Sequence, residues 1–225
     1  MAGNTTAGAK AQLYDAFAAS GKALASGKRL ELLDLLAQGE RTVDALAKAA
    51  GLNLTTASAH LQTLKQAGFV ATRREGVRIH YRLAGDDVAE LFALLRKVAE
   101  RHQAAVPAAR DAYLGEDDGA EVTREALTSR IEAGDVVVLD VRPAEEYLAG
   151  HIPGAVSIPV DELADRIDEL AEHTEIVVYC RGEYCVLAHD AVRLLNDRGR
   201  RAIRLNDGML EWRLSRMPVD AEEPA

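Results

Sequence analysis

Cysteine is nearly absent from this chain, with two residues in 225, Cys180 and Cys185. Two thiols cannot build the disulfide framework of a secreted fold, which points to a reducing compartment, the cytoplasm. No apolar run approaches the ~18 residues of a membrane-spanning helix, so no membrane partner is expected. The opening stretch, Met1 to Lys10, is small and polar, with nothing that would serve as an export signal. Lysine is missing beyond Lys97, and there is no internal repeat or low-complexity tract. What is present fits a globular protein. A hydrophobic fraction of 48% and a charged fraction of 28% exclude a disordered chain. The length suits one large domain or two small ones.

The net charge of −9 conceals an asymmetry. Residues 1–115 carry 15 Lys+Arg against 11 Asp+Glu, whereas residues 116–225 carry 12 against 25. A basic first unit facing nucleic acid and an acidic second unit with another partner would produce this split, as would two ordinary domains of different pI. The break falls near Pro107 to Val122, where Pro107 interrupts a helical pattern and Gly115-Glu-Asp-Asp-Gly119 forms an acidic turn. The division expected is a first domain at 1–113, a linker at 114–121, a second domain at 122–218 and a frayed acidic tail at 219–225.

Helical periodicity dominates the first unit. Leu30, Leu32, Leu33, Leu35 and Leu36 mark one helix. Thr42 can cap the next, with Asp44 in its first turn and Leu46 inward. Gly51 stops that helix at a tight turn, and another runs from Asn53 or Leu54 to Gln66. Leu61 and Leu64 face inward there, and Thr55, Thr56, Ser58 and Gln62 are available outward. Two short helices about a glycine turn are a helix-turn-helix, whose second helix enters the major groove. Alternating residues around Arg73-Arg74-Glu75-Gly76, continuing to Leu83, predict a β-hairpin with Arg73, Arg74 and Arg78 near its tip. The whole is a winged helix. Hydroxyls on the recognition helix can bond bases or phosphates, and wing arginines favour phosphates or the minor groove. A long helix from Asp86 to His102 carries Val88, Leu91, Phe92, Leu95 and Val98 at helical spacing, read as core.

Residues 28–103 resemble the ArsR family of dimeric winged-helix repressors. The resemblance rests on Gly51-Leu-Asn-Leu-Thr-Thr-Ala-Ser-Ala-His-Leu-Gln-Thr-Leu-Lys-Gln-Ala-Gly-Phe-Val70, on Arg74-Glu-Gly76 and on Tyr81-Arg-Leu83. Ala59 departs from the basic residue common in the family. The resemblance implies a homodimer, formed through the first and last helices, on palindromic double-stranded operator DNA. His60, within the recognition stretch, packs or contacts phosphate. Many family members sense metals, but the first 115 residues hold no cysteine, and His102 has no carboxylate partner at cage spacing. No metal is expected.

Beyond the break, four short apolar runs alternate with helical segments: Val136-Val-Val-Leu139, Ala155-Val-Ser-Ile158, Ile176-Val-Val-Tyr179 and Ala202-Ile-Arg-Leu205. These read as buried parallel strands with crossover helices. The third strand ends at Cys180, and a helix begins near Val186. Loop amides and the helix's positive end would favour a thiolate, making Cys180 a nucleophile, although spacing alone also allows a structural cysteine.

Residues 122–218 resemble a rhodanese domain, the sulfurtransferase fold. Three motifs in order carry the resemblance: Leu139-Asp140-Val-Arg142 through Gly150-His151-Ile-Pro153-Gly154-Ala155, the Cys180 loop, and Asp207-Gly208-Met-Leu-Glu-Trp212. It implies that Cys180 carries sulfane sulfur as a persulfide, cradled by the amides of Arg181, Gly182, Glu183, Tyr184 and Cys185. Asp140 and Arg142 correspond to a structural ion pair. Glu146 and His151 correspond to a structural turn away from the loop, and Trp212 to core. Cys185 departs from the usual Ser, Thr or basic residue and is either a small filler or a resolving thiol. The six-residue loop suits sulfur rather than the oxyanions bound by longer loops of this fold. Glu183 opposes thiosulfate, and Arg181 offsets it only in part, so persulfide or polysulfide donors are preferred to thiosulfate.

The fold expected is α/β overall: a winged helix-turn-helix, mostly α with a β wing, then an α/β rhodanese-like domain with a central parallel sheet. The function expected is a DNA-binding regulator that senses or carries sulfane sulfur at Cys180, without a cofactor. The alternative is a sulfurtransferase whose winged helix serves autoregulation or dimerisation.

Overall fold

A computed structural model describes residues 3–115 and 120–221, with side chains described from residue 8 onward. The chain divides into two compact units between Phe92 and Ala93.

The first unit holds helices α1 (Gly3–Leu24), α2 (Gly27–Gln38), α3 (Val43–Ala49) and α4 (Leu54–Gln66). Its three strands are β1 (Arg41–Thr42), β2 (Val70–Glu75) and β3 (Arg78–Leu83), an antiparallel sheet of order β1-β3-β2. Local chemistry sets the turn between α3 and α4. The Thr42 hydroxyl accepts from the Ala45 amide and the Asn53 side chain from the Thr56 amide, so each helix starts on a satisfied donor. Between them Gly51 sits at φ 60°, the left-handed conformation that ends α3. Leu32, Leu33 and Leu36 of α2, Leu46 of α3, and Leu61 and Leu64 of α4 are buried together with Phe69, Val70 and Tyr81. The helix-turn-helix and its wing are as the sequence predicts. Helix α1 falls outside that reading.

Helix α5 (Asp86–His102) belongs to both units, its first turns to the first and the remainder to the second. Pro107 does not end a helix. It lies in the opening turn of α6 (Ala105–Leu114), where its missing N–H costs nothing, and the break comes at Gln103. Residues 93–115 group with the second unit because α6 joins its packing, the Leu114 carbonyl accepting from Arg193. The first-domain boundary expected at residue 113 is thereby displaced to Phe92. Most of the acidic linker turn, residues 116–119, lies outside the described residues.

The second unit is a five-stranded parallel sheet, order β4-β8-β7-β5-β6. Its strands are β4 (Glu121–Val122), β5 (Val136–Asp140), β6 (Val156–Ser157), β7 (Glu175–Tyr179) and β8 (Ala202–Leu205). The crossovers are α7 (Arg124–Ala133), α8 (Ala144–Leu148), α9 (Leu163–Arg166) with a 3-10 turn at Ile167–Glu169, and α10 (Val186–Asp197), and α11 (Met209–Leu214) follows the last strand. Alternate β7 residues enter opposite cores. Ile176 and Val178 pack with Leu163 of α9 and Ala191, Val192 and Leu195 of α10. Val177 and Tyr179 pack with Leu127 of α7 and Met209 and Trp212 of α11. Burial on both faces is why the strands read as continuous apolar runs rather than alternating ones. Trp212 is core, as expected, and its ring N–H donates to the Pro218 carbonyl at 2.7 Å. The tail is ordered further than expected, since Asp220 and His151 exchange two backbone hydrogen bonds. Of this tail, residues 222–225 lie outside the described part.

Asp140 and Arg142 form a pair with no solvent exposure. Removing one partner strands a buried charge, at a cost of about 3–5 kcal/mol, whereas exposed pairs such as Arg166–Glu162 contribute about 0–1 kcal/mol. Arg142→Met should therefore sharply lower the chemical-denaturation midpoint, and Glu162→Ala should leave it nearly in place.

Candidate functional site

In the first unit the residues expected to touch DNA divide into exposed and engaged sets. Thr55 is exposed at the start of α4, and Thr56, Ser58 and His60 are half-buried along it. Gln62 is exposed, but its amide N–H donates to the buried Tyr81 hydroxyl at 3.0 Å, so one end of it holds α4 to the wing. Lys65, not singled out from sequence, ties α4 to β2 through Thr72 at 2.9 Å. On the wing, Arg73 is bound by Glu40 at 2.6 Å and Glu75 at 2.8 Å. Those two carboxylates neutralise it and tether the hairpin to the segment before α3. Arg74, which donates to the Gly76 carbonyl, and Arg78 are exposed beside Val77 at the hairpin tip.

In the second unit, β7 delivers Cys180 to the carboxyl end of the sheet, where α/β folds place their ligands. Cys180 is almost completely buried, and its sulfur is joined to that of Cys185, with Cα atoms 6.2 Å apart. Residues 180–185 thus close on themselves. The Cys185 amide donates to the Gly182 carbonyl at 3.1 Å, so this amide is used within the loop and does not face a sulfur ligand. The carbonyls of Cys180 and Arg181 accept from the Met209 and Leu210 amides, both at 3.0 Å, pinning the loop to the first turn of α11. Gly208 makes that approach feasible. A Cβ there would lie 2.2 Å from the Gly182 nitrogen, a distance no side chain can occupy.

Glu146 requires a correction. Rather than sitting away from the loop, its buried carboxylate takes Arg181 in a two-oxygen grip, at 2.7 Å for the shortest approach. Arg181 is accordingly engaged by Glu146, and its offset of Glu183 is smaller than the sequence suggests. His151 is structural, stacked on Tyr147 at 3.7 Å between centroids.

Two residues of α5 reach the loop, and sequence reasoning assigned neither to it. The Arg96 guanidinium lies 4.4 Å over the Tyr184 ring and 3.6 Å from a Glu211 oxygen. The Tyr184 hydroxyl donates to Glu100 at 2.5 Å, and Glu100 is held by Arg110 of α6. Burial, that hydrogen bond and the neighbouring carboxylates all push the Tyr184 phenol further up. Burial also raises the Glu183 carboxyl, with Glu100 adding repulsion, and it raises Asp207. Glu211, whose carboxylate accepts from the Gly208 amide, is pushed up to about 7 by burial, although Arg96 pulls the other way. The loop's surroundings are therefore acidic. No group of three metal-ligating side chains occurs among the described residues.

A winged helix-turn-helix unit and a sheet-end cysteine loop on a rhodanese-type fold define a DNA-binding regulator with a sulfur-loop domain. The family model for bacterial regulatory proteins of the arsR family matches residues 26–72, and that for the rhodanese-like domain matches residues 123–215. The HTH-type transcriptional regulator Rv0324 of Mycobacterium tuberculosis is 59% identical over 215 residues, covering 96% of this chain and 95% of that protein. The chain belongs to the ArsR-family transcriptional regulators that carry a C-terminal rhodanese domain. The putative sulfur carrier protein YrkF of Bacillus subtilis is 34% identical over 94 residues, 41% of this chain and 50% of that protein. Among solved structures, the homodimeric winged helix-turn-helix DNA-binding domain Mb0332 of Mycobacterium bovis is 61% identical, with a TM-score of 0.40, covering 43% of this chain and 89% of that one. No helix among the described residues is long and apolar enough to cross a membrane.

Glu211 gives the unit a pH signature. The native state holds this proton up to about pH 7, while an unfolded glutamate releases it near its ordinary value of 4.5. Between those limits the folded state binds more protons, so stability falls as pH rises, by about 3 kcal/mol across the window. Glu211→Gln keeps an acceptor for Gly208 and should flatten the slope between pH 5 and 7. An unchanged slope in denaturation midpoints would assign the effect elsewhere.

Proposed function

We propose that this regulator senses reactive sulfane sulfur through Cys180 and Cys185 and releases operator DNA when the pair becomes bridged. The observation that carries the reading is the position of the second thiol. In a rhodanese-type loop, Cys185 lies within bonding reach of the sulfur-carrying Cys180. A transferase must hand its sulfur onward, and a resolving thiol at this position intercepts it. A sensor gains from interception, because the bridge stores the signal until thiols reduce it.

The chemistry balances in two steps. The Cys180 thiolate attacks the terminal sulfur of a hydropersulfide RS–SH, forming Cys180 S–SH and releasing RS⁻. Cys185 gives its proton to solvent, and its thiolate attacks the Cys180 sulfur, forming the bridge and expelling HS⁻. Two thiol sulfurs are oxidised to a disulfide, and the sulfane sulfur takes both electrons as hydrosulfide. Inorganic polysulfide supplies the same sulfur. Thiosulfate brings two negative charges to a loop whose Arg181 is bound by Glu146 and whose nearby Arg96 is shared between the Tyr184 ring and Glu211, and is the poorer donor.

On the DNA side, Thr55, Thr56, Ser58, His60 and Gln62 face the major groove, and Arg74 and Arg78 hold phosphates, while Arg73 stiffens the wing. A homodimer is supported by exposed apolar side chains on α1 (Leu13, Tyr14 and Phe17) and on α5 (Leu91, Leu94 and Val98). Leu91 and Val98 are thus surface residues rather than the core expected of them. The compartment in which DNA and a reducing thiol pool coexist is the cytoplasm.

Intact-mass measurement after polysulfide treatment should show the bridge in the wild type, retained sulfur in Cys185→Ser and none in Cys180→Ser. Neither variant should lose DNA affinity on treatment, although both bind DNA when reduced. Thiosulfate:cyanide turnover as fast as that of a dedicated rhodanese would favour the enzyme reading instead. On the DNA side, Arg74→Ala and Arg78→Ala should each weaken binding to all sequences and reduce the salt slope by about one unit for each phosphate no longer held. An unchanged slope in both would remove the wing from the interface.

A further inference from the structure

We infer that Arg96 and Glu100 are positioning residues for the sulfur loop: by gripping Tyr184 they tie the state of the Cys180–Cys185 pair to helix α5. The inference rests on the sensing reading and specifies how the signal leaves the site.

Residues four apart share one face of a helix, so Arg96 and Glu100 present a single two-point surface. Tyr184 fits both points, its ring face under the Arg96 guanidinium at 4.4 Å and its hydroxyl on Glu100 at 2.5 Å. The grip is braced from both sides. Arg110 holds Glu100 at 2.5 Å, and Glu211 lies 3.6 Å from Arg96 while its carboxylate accepts from the Gly208 amide. Gly208 in turn packs against Gly182. Helix α5 therefore reaches the loop directly through Tyr184 and indirectly through the start of α11.

Tyr184 immediately precedes Cys185. When the bridge opens, or when Cys180 carries an extra sulfur, the two cysteine sulfurs must separate to van der Waals distance, and Cys185 takes Tyr184 with it. The other end of the loop cannot yield as easily, because Cys180 continues β7 and Arg181 is locked on buried Glu146. The displacement falls on the Tyr184 end. There it must either move α5 or break the grip, and α5 is one continuous helix that begins in the winged-helix unit. Neither anchor belongs to the segment matching the rhodanese-like domain, residues 123–215, which makes this grip an addition to that fold rather than part of it.

The test uses the full-length chain, a duplex selected from random sequence on the reduced wild type, and sodium tetrasulfide as the sulfur donor. DNA affinity is compared at matched extents of bridging, read by intact mass. The wild type should lose affinity by about tenfold on bridging, within the range usual for coupled sites. Arg96→Ala and Glu100→Ala should respond by less than about threefold, and Glu100→Gln, which retains a carbonyl acceptor, should recover most of the wild-type response. Coupling is reciprocal, so the duplex should favour the reduced pair by the same factor in the wild type and not in Glu100→Ala. A merely structural role would not move that redox balance. If both alanine variants bridge and still release DNA by the full factor, the grip is not the link and the inference is overturned while the sensor stands. If the bridged wild type binds DNA as well as the reduced form does, the sensing reading fails, and the inference with it.

Discussion

The second unit is organised around one buried carboxylate. Asp140, at the end of β5, receives Arg142 and the Tyr179 hydroxyl, the latter at 2.6 Å, and Tyr179 in turn accepts the Ile152 amide. Arg142 also donates to the Gly150 carbonyl. These bonds lock the carboxyl ends of β5 and β7 to the turn after α8, and Cys180 is the next residue after Tyr179. Its position is fixed by a network with no solvent exposure at Asp140 or Arg142, where each partner offsets the desolvation of the other. Tyr179 shows the same tension, its phenol raised well above its ordinary value by burial and by the adjacent Asp140 charge.

On that scaffold the loop is held almost entirely by groups distant in sequence. The carbonyls of Cys180 and Arg181 meet the α11 amides, Arg181 meets Glu146, and Tyr184 meets α5. This explains what the sequence did and did not disclose. The buried strands β5, β7 and β8 announce themselves because each is a run long enough to show continuous apolar character. β4 contributes two residues to the sheet, too few for any period to register, and the expected run Ala155–Ile158 pairs over only two residues, as β6. The helix-turn-helix was legible through its caps, which are local. Glu146 and Arg181 are 35 residues apart, and each alone is an ordinary charged residue, so only the fold pairs them. Arg96 and Glu100 were hidden for a further reason, because they sit on a helix whose pattern spoke only of core.

That pattern also misled. The apolar positions of α5 follow helical spacing, yet Val88 and Phe92 are buried while Leu91, Leu94 and Val98 remain exposed. Periodicity reports that a face is apolar, not what covers it. Pro107 misled in a similar way, since a proline in the first turn of a helix is as acceptable as one that ends a helix, and the two cannot be told apart without the backbone.

The charge asymmetry acquires a physical sense from the loop outward. Arginine is usually what an acidic domain offers an anion, but here the loop's own arginine is spent on Glu146, and the next nearest, Arg96, is shared between a tyrosine ring and Glu211. Both guanidiniums are engaged in contacts that hold the loop. On the sensing reading, a loop whose arginines are engaged in holding it, and whose neighbouring carboxyls are pushed up by burial, offers little attraction to a dianionic donor and accommodates neutral or thiol-borne sulfur. The acidic domain also repels DNA phosphates, leaving the exposed cations of the first unit as the attractive surface for nucleic acid. On the sensing reading the division is functional. The basic unit binds DNA, and the acidic unit admits a small uncharged or thiol-borne signal while staying off the DNA. The rigidity conferred by its internal ion pairs lets a change at one sulfur be felt beyond the loop.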